Sequence, residues 1–529
     1  MILLGLFFGI YGFLLYQLGL AGVLSPHSVQ IITICFLVVL LYVYWRSAVS
    51  ELRSFPRRVS MISLPEKVFV VLLFFMGLIN ILGVLGPEIS FDALWYHLTL
   101  AKLYILQQAG LFVPGGLLYY SAMPRLGEFL YVGALSFGES YAKGLHFLFG
   151  VFTVILVYHT TRLFAGRMLS FFACMIFYSN LVVGWESISG YVDLMWTFFV
   201  TASIYLLLRF SFVKQKQLLY LSGIFVGLAV SIKILALGSL ALLFATLLFL
   251  KMRTKESGIG KRDFVYVGAL TVILAFPWLL FSYIHTGNPV YPFFTERYPS
   301  DFSVFSLQNF RESVTTFVFA ADPVSPLYLI CLPLIFIFRK QFLKKEYMLL
   351  FMCAVAAVVW FLTPKSGGGR FAMVFLPLFS VLIAVLLERI KKYTFLFRYI
   401  VFLGIALSVF SVGYRSAANM KYIPFLIGQE TSSNFLIHHL NFSFGDFYDT
   451  DHFFKKIIGK DEVVLLIGFH NLYYVDFPYI DQSWVRKGDT FSYVAVQEGD
   501  LPNRFTGMKK IYENSVTRVR LYKGEAMVW

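Results

Sequence analysis

"GPEISFDALWYHLTLAK", residues 86–102, decides how this chain is read. It follows without a break on the apolar run 68–86, brings in two carboxylates, Glu88 and Asp92, and passes into an aromatic and histidine cluster, Trp95, Tyr96 and His97. A run of that length matches the roughly 20 apolar residues that carry an α-helix across a bilayer. The acids therefore stand at the mouth of a membrane span.

The pattern repeats outward from this point. The 529 residues are 59% hydrophobic, 19% aromatic and only 14% charged, with a mean hydropathy of +0.75. That composition lies outside the range of soluble domains and predicts a polytopic membrane protein. Apolar runs at 2–24, 28–45, 68–86, 141–161, 168–184, 192–209, 218–232, 235–250, 264–284, 326–338, 347–363, 371–388 and 396–414 predict about thirteen transmembrane helices. The formal charge of +15 is dispersed in short clusters between these runs, which fits membrane topology and excludes a nucleic-acid-binding face. All four cysteines fall inside the predicted spans, so no disulfide framework is expected. The first 24 residues lack a basic n-region and run into a second apolar stretch, which reads as a retained anchor.

Cytoplasmic loops retain Lys and Arg. One set of alternate loops is rich in them: Arg46, Arg53, Arg57, Arg58 and Lys67 in the first, Lys251, Arg253, Lys255, Lys261 and Arg262 in a later one. The opposite loops are longer and poorer, with Lys102 and Arg125 in 87–140 and Arg297 and Arg311 in 285–325. This bias puts the N-terminus in the cytoplasm and the opening stretch on the outer face. It also exports residues 415–529, whose "EVVLLIG" (462–468) reads as a buried strand and "TRVRLYKG" (517–524) as an edge strand of a small α/β domain.

Within the first outer loop, Leu94, Leu98, Ala101 and Ile105 recur at helical spacing, predicting an amphipathic helix over 93–108 on the membrane surface. Asp92 is placed to cap that helix or to take a proton, and the spacing fits both. "TPKSGGGRF" (363–371) joins two spans on the same face; its glycines let backbone amides approach an anion, flanked by Lys365 and Arg370. Lys233 in "VSIKILALG" (230–238) either binds an anion or snorkels. Glu186 and Asp193 bracket "SISGYV", where they either orient hydroxyl groups or cap helices. His97 either assists proton transfer or joins Glu88, Glu128 or His285 around a divalent metal, although no compact ligand spacing supports a metal.

The arrangement resembles the GT-C class of glycosyltransferases, which includes protein O-mannosyltransferases and aminoarabinose transferases. "ISFDALWYHLTLAKLY" (89–104) looks like their acidic motif and juxtamembrane helix, and "MPRLGEFLYVGALSFGES" (123–140) like the segment leading into the next span. "GYVDLMWTFF" (190–199), "TGNPVYPFF" (286–294) and "GGRFAMVFLPLF" (368–379) resemble later outer segments. Two departures are visible. Ala93 follows Asp92 where the better-known members have glutamate, and the hairpin 1–45 precedes their usual first span.

The resemblance implies an all-α polytopic membrane protein with a GT-C-like catalytic module at 65–414, outer-face amphipathic helices and the exported domain 415–529. It further implies a polyprenyl-phosphate sugar donor, an exported lipid, glycan or protein acceptor, and residence in a bacterial cytoplasmic membrane. Asp92 would be the base, Arg370, Lys365 and Lys233 would bind the donor phosphate, and Tyr96, His97, Glu186 and Asp193 would position substrate. The alternative reading is a multi-spanning transporter of a lipid-linked or small polar substrate.

Overall fold

The computed structural model describes residues 1–60, 63–107, 111, 113, 115–253, 258–295, 306–319, 323–363 and 368–529. Each of the thirteen predicted apolar segments falls on a helix. Among the described residues nine helices are long and apolar enough to cross a membrane, from Ile2–Leu20 to Thr394–Leu426. Three of the predicted spans form shorter apolar helices, Arg167–Tyr178, Lys216–Ile232 and Leu327–Ile337, and a fourth apolar helix, Leu126–Leu135, lies within the 87–140 segment.

The shortening has local causes. After Tyr178 the chain turns at Asn180, whose Nδ2 donates to the carbonyls of Ile176 and Phe177, and a separate short helix, Leu181–Glu186, follows. That side chain offers the carbonyls a partner other than the next helical amides. In 371–388 the chain breaks after Met373, and Pro377 sits in the first turn of the helix Leu376–Ile390, where its missing N–H is harmless.

Helix Asp193–Val213 is the most enclosed of the spans, with buried residues on every side. It packs against Glu139–Thr161 and Lys216–Ile232. The latter meets Lys261–Thr286 through Gly223 and Gly227, where a Cβ would come within 2.9 Å of the carbonyls of Val267 and Thr271. Two small residues one turn apart let the backbones close, as in membrane helix pairs generally. At the ends opposite the 86–140 segment, ion pairs tie the helices together: Arg167 to Glu66 at 2.7 Å, Lys216 to Asp263 at 2.9 Å and Arg389 to Glu346 at 2.8 Å.

The C-terminal domain carries a five-stranded sheet: β1 Val464–Ile467, β2 Tyr479–Asp481, β3 Thr490–Gln497, β4 Lys509–Asn514 and β5 Val519–Val528. The order is β2-β1-β3-β5-β4, with β1 parallel to both neighbours and β5 antiparallel to both of its own. The strand expected at the edge, "TRVRLYKG", is instead interior, between β3 and β4; its alternation reflects one buried face.

The expected surface helix over 93–108 is also different. It begins as a π-helical turn, Ala93–His97, and continues as Leu98–Gln107, with Leu98 to Ala101, Leu103 and Tyr104 all buried. Helix Leu126–Leu135 packs against one side of it. The sheet domain covers another: the His470 ring lies 5.0 Å from Phe91 and 4.2 Å from Trp95. Lys102 Nζ donates to the carbonyls of Tyr473 (2.7 Å) and Val475 (3.0 Å) and to Asp476 (2.8 Å). Tyr474 donates to the carbonyl of Glu88 and to Glu139.

Asp476 is 79% exposed, so its ion pair contributes at most about 1 kcal/mol. The backbone carbonyls are the stronger tie. Lys102→Met should therefore speed amide exchange across 470–476 while Asp476→Asn leaves it unchanged. Equal effects of the two substitutions would contradict this assignment.

Candidate active site

The site is positioned by a buried cation. Lys143, with no exposed surface, donates to the carbonyls of Gly83 (2.8 Å), Gly86 (2.8 Å) and Pro87 (3.3 Å). The Gly83 carbonyl, in the last turn of helix Leu64–Leu85, also accepts from the Gly86 amide, and the lysine stands at the negative end of the helix dipole. Gly86 is required here, since a Cβ would lie 2.1 Å from the Tyr422 ring. Glu88 then fixes the turn: its Oε1 accepts from the amides of Ile89 and Ser90, and its Oε2 from that of Gly190 at 2.6 Å. Glu88 is therefore occupied by backbone amides that join the first loop to the 187–192 segment.

Asp92 does not cap. Its backbone is already helical (φ −65°, ψ −28°) and its carboxylate makes no capping bond. Instead its Oδ2 accepts from Arg370 Nη1 at 2.6 Å and from the Tyr96 hydroxyl at 3.2 Å, while its own amide donates to the Tyr191 hydroxyl. In an α-helix residue i+5 points away from residue i. The π turn, closed by the Leu98 amide on the Ala93 carbonyl, brings His97 to the same side as Asp92 and Tyr96.

These three side chains border a cavity of about 300 Å³, together with Glu128, Lys233 and Arg370. One ion pair lies on its wall, Asp92 with Arg370 at 2.6 Å; the other wall cation, Lys233, pairs at 2.7 Å with Asp193, which is fully buried behind the wall. Lys233 does not snorkel. It sits at the break between helix Lys216–Ile232 and the turn Ile234–Ala236, with its Nζ 4.9 Å from the Phe371 ring centre and 5.6 Å from that of Trp196. The Arg370 guanidinium lies 4.9 Å from the Tyr191 ring, and its Nε has no partner among the described residues. Lys365, with the rest of 364–367, lies outside the described residues.

Tyr96 stacks on Tyr120 with centroids 3.6 Å apart. Burial, reinforced by the charge of Asp92, pushes its phenol well above the usual range, so it serves as a hydrogen-bond donor. His97 bonds through Nδ1 to Glu128 Oε1 at 2.6 Å. His285 lies apart, against Phe281 at 4.3 Å. Among the described residues no three His, Cys, Asp or Glu side chains are grouped closely enough to hold a metal ion.

Glu186 is not on the cavity wall. It is fully buried, 4.0 Å from His146 Nε2, with neither carboxylate oxygen hydrogen-bonded among the described residues. Burial, followed by the charge of Asp193, pushes its carboxyl well above the ordinary range, so the fold favours its neutral form. The unfolded chain releases that proton above about 4.5, so stability falls as pH rises from there toward the folded value. Glu186→Gln should accordingly gain stability on the wild type as pH increases through this window, in thermal unfolding of detergent-solubilised protein. A difference independent of pH would contradict a neutral Glu186.

Sequence reasoning did not single out Lys143, Tyr120 or Tyr191. A lone lysine inside the apolar run 141–161 was a readable signal for the first; the tyrosines gave none beyond their motif neighbours.

The family model described as dolichyl-phosphate-mannose-protein mannosyltransferase matches residues 136–281, the part that carries Glu186, Asp193 and Lys233. ArnT from Cupriavidus metallidurans has the same architecture. Its apo form matches with a TM-score of 0.58 and its form bound to undecaprenyl phosphate with 0.56, both at 12% identity, over 86% of this chain and 97% of that one. The chain has the GT-C fold. The apo oligosaccharyltransferase of Archaeoglobus fulgidus gives a TM-score of 0.46 at 14% identity, over 81% of this chain and 69% of that one. No curated protein sequence matches the chain. In this chain Asp92 and Arg370 lie on either side of the family-matched segment, and the fold brings them together.

Proposed function

We propose that the protein is an integral-membrane glycosyltransferase that moves a sugar from a polyprenyl-phosphate carrier to an acceptor hydroxyl at the face bearing the sheet domain. One observation carries the reading: a cavity at the end of the bundle is bordered by a carboxylate, Asp92, and two cations, Arg370 paired with it and Lys233 paired with the buried Asp193 behind the wall. The family and fold likenesses point to the same chemistry.

A lipid-linked phosphate entering the cavity offers both cations a new partner. Arginine holds two phosphate oxygens in a fork and lysine adds a point charge. As Arg370 turns to the phosphate, the Asp92 carboxylate is left facing the acceptor. The acceptor oxygen then attacks the anomeric carbon, the bond from that carbon to the phosphate oxygen breaks, and the polyprenyl phosphate leaves with the electron pair. Asp92 takes the hydroxyl proton. Attack opposite the leaving group inverts the anomeric centre with one carboxylate, because the phosphate leaves without needing an acid. Arg370 and Lys233 stabilise the charge that develops on it.

The loop charge bias supports an outer location for this face and a cytoplasmic N-terminus, and the family resemblance and the lack of a disulfide framework support a bacterial cytoplasmic membrane. Tyr474 and Lys102 hold the sheet domain over the first loop, where it would help present the acceptor. The test is purified protein in lipid nanodiscs with a panel of undecaprenyl-phosphate sugars, scored for donor consumption and for the anomeric form of the product. Consumption with inversion is expected. A protein that consumes no donor but moves solute across proteoliposomes is a transporter.

A further inference from the structure

The His97–Glu128 pair plays no part in the transfer described above, yet both side chains border the same cavity, and each is only 3% exposed. An ionised carboxylate only accepts, so the 2.6 Å contact to Glu128 Oε1 puts a hydrogen on His97 Nδ1. In the neutral ring Nε2 then keeps its lone pair. Nε2 has no partner among the described residues, and neither has Glu128 Oε2.

Both atoms lack a donor within the described protein while their side chains border the cavity, so a donor group entering it would satisfy them. The packing fixes them in that state: the imidazole is held between Tyr96, at 4.1 Å, and Tyr191, at 5.8 Å, and its tautomer is set by Glu128. They form a surface that accepts hydrogen bonds, in a cavity whose other charged side chains are already paired, Asp92 with Arg370 and Lys233 with the buried Asp193 behind the wall.

Resting on the glycosyltransferase reading, we infer that His97 and Glu128 form the subsite for the transferred sugar, accepting hydrogen bonds from its hydroxyl groups while Arg370 and Lys233 hold the phosphate. The pair sets which sugar is used. A site built to bond a hydroxyl rejects the analogue lacking it far more strongly than an apolar pocket rejects an extra methylene, since the buried acceptors are then left bare. Water is a poor substitute because it does not bring the ring contacts with it.

The experiment uses the full-length protein in nanodiscs with undecaprenyl-phosphate-linked mannose, glucose and galactose, each also supplied with one ring hydroxyl removed at a time. Donor binding and kcat/KM are both measured. For the preferred sugar, at least one deoxy donor should lose on the order of 10⁴-fold in kcat/KM. His97→Phe keeps the ring volume and removes the acceptor, so the intact sugar should fall to the level of that deoxy donor. Glu128→Gln presents an amide that can donate to Nδ1, moving the hydrogen to Nε2, and should erase the same discrimination without emptying the pocket. A general packing defect would lower all donors alike and keep their ratio. If donors bind and react but every deoxy form matches its parent, or the ratio survives both substitutions, the subsite assignment is wrong and the transferase reading stands. If no donor binds, both fall.

Discussion

Asp92→Asn should reduce glycosyl transfer by roughly 10²- to 10⁴-fold in kcat, the range that a positioned proton acceptor contributes, while the protein remains folded. The substitution is close to isosteric. Its amide oxygen can still accept from Arg370 Nη1 and from the Tyr96 hydroxyl, the two donors that reach Asp92 Oδ2. It cannot take the acceptor proton. Because Asp92 makes no capping bond, loss of activity could not be explained by an unwound helix start. The measurement is single-turnover transfer at saturating donor, with thermal unfolding in parallel. A variant retaining half the wild-type rate would remove Asp92 from the chemistry.

Lys143→Met should destabilise the protein by about 3 kcal/mol. Methionine fills the space but leaves the carbonyls of Gly86 and Pro87 without their lysine donor in a site closed to water, while that of Gly83 keeps the Gly86 amide, and each buried unsatisfied group costs roughly 1–3 kcal/mol. Removing a buried ammonium offsets part of that loss, which keeps the expected total below the simple sum. The same change frees the turn that carries Glu88 and Asp92, so kcat should fall as well. Unfolding in a denaturant series reads the first effect and transfer the second. An unchanged unfolding midpoint would mean that the helix end is held by something other than this lysine.

Much of the scaffold was legible because hydrophobic runs are a long-range signal: every predicted span is helical, although 168–184 and 371–388 are each broken into two helices. What the runs could not convey was how each helix ends. The break at Asn180 and the restart at Pro377 are set by single side chains, and they shorten segments that read as full spans. At the site, Asp92, Arg370, Asp193 and Lys233 were all named from residue type and position, and the fold pairs them two by two. The pairing itself was hidden, since its members are separated by 278 and 40 positions.

The π turn was hidden for a different reason. Apolar spacing over 93–108 fits an ordinary helix, and only the wider turn brings His97 round to Asp92. The expected surface helix failed because its polar side was assumed to face water. The sheet domain covers it instead, through a lysine that spacing alone assigns to solvent.

The account turns on where the donor phosphate goes. An experimental structure of the protein with undecaprenyl phosphate should show that phosphate within hydrogen-bond distance of Arg370 and Lys233, with the 2.6 Å contact between Arg370 and Asp92 opened. A phosphate bound elsewhere, with both ion pairs intact, would contradict it.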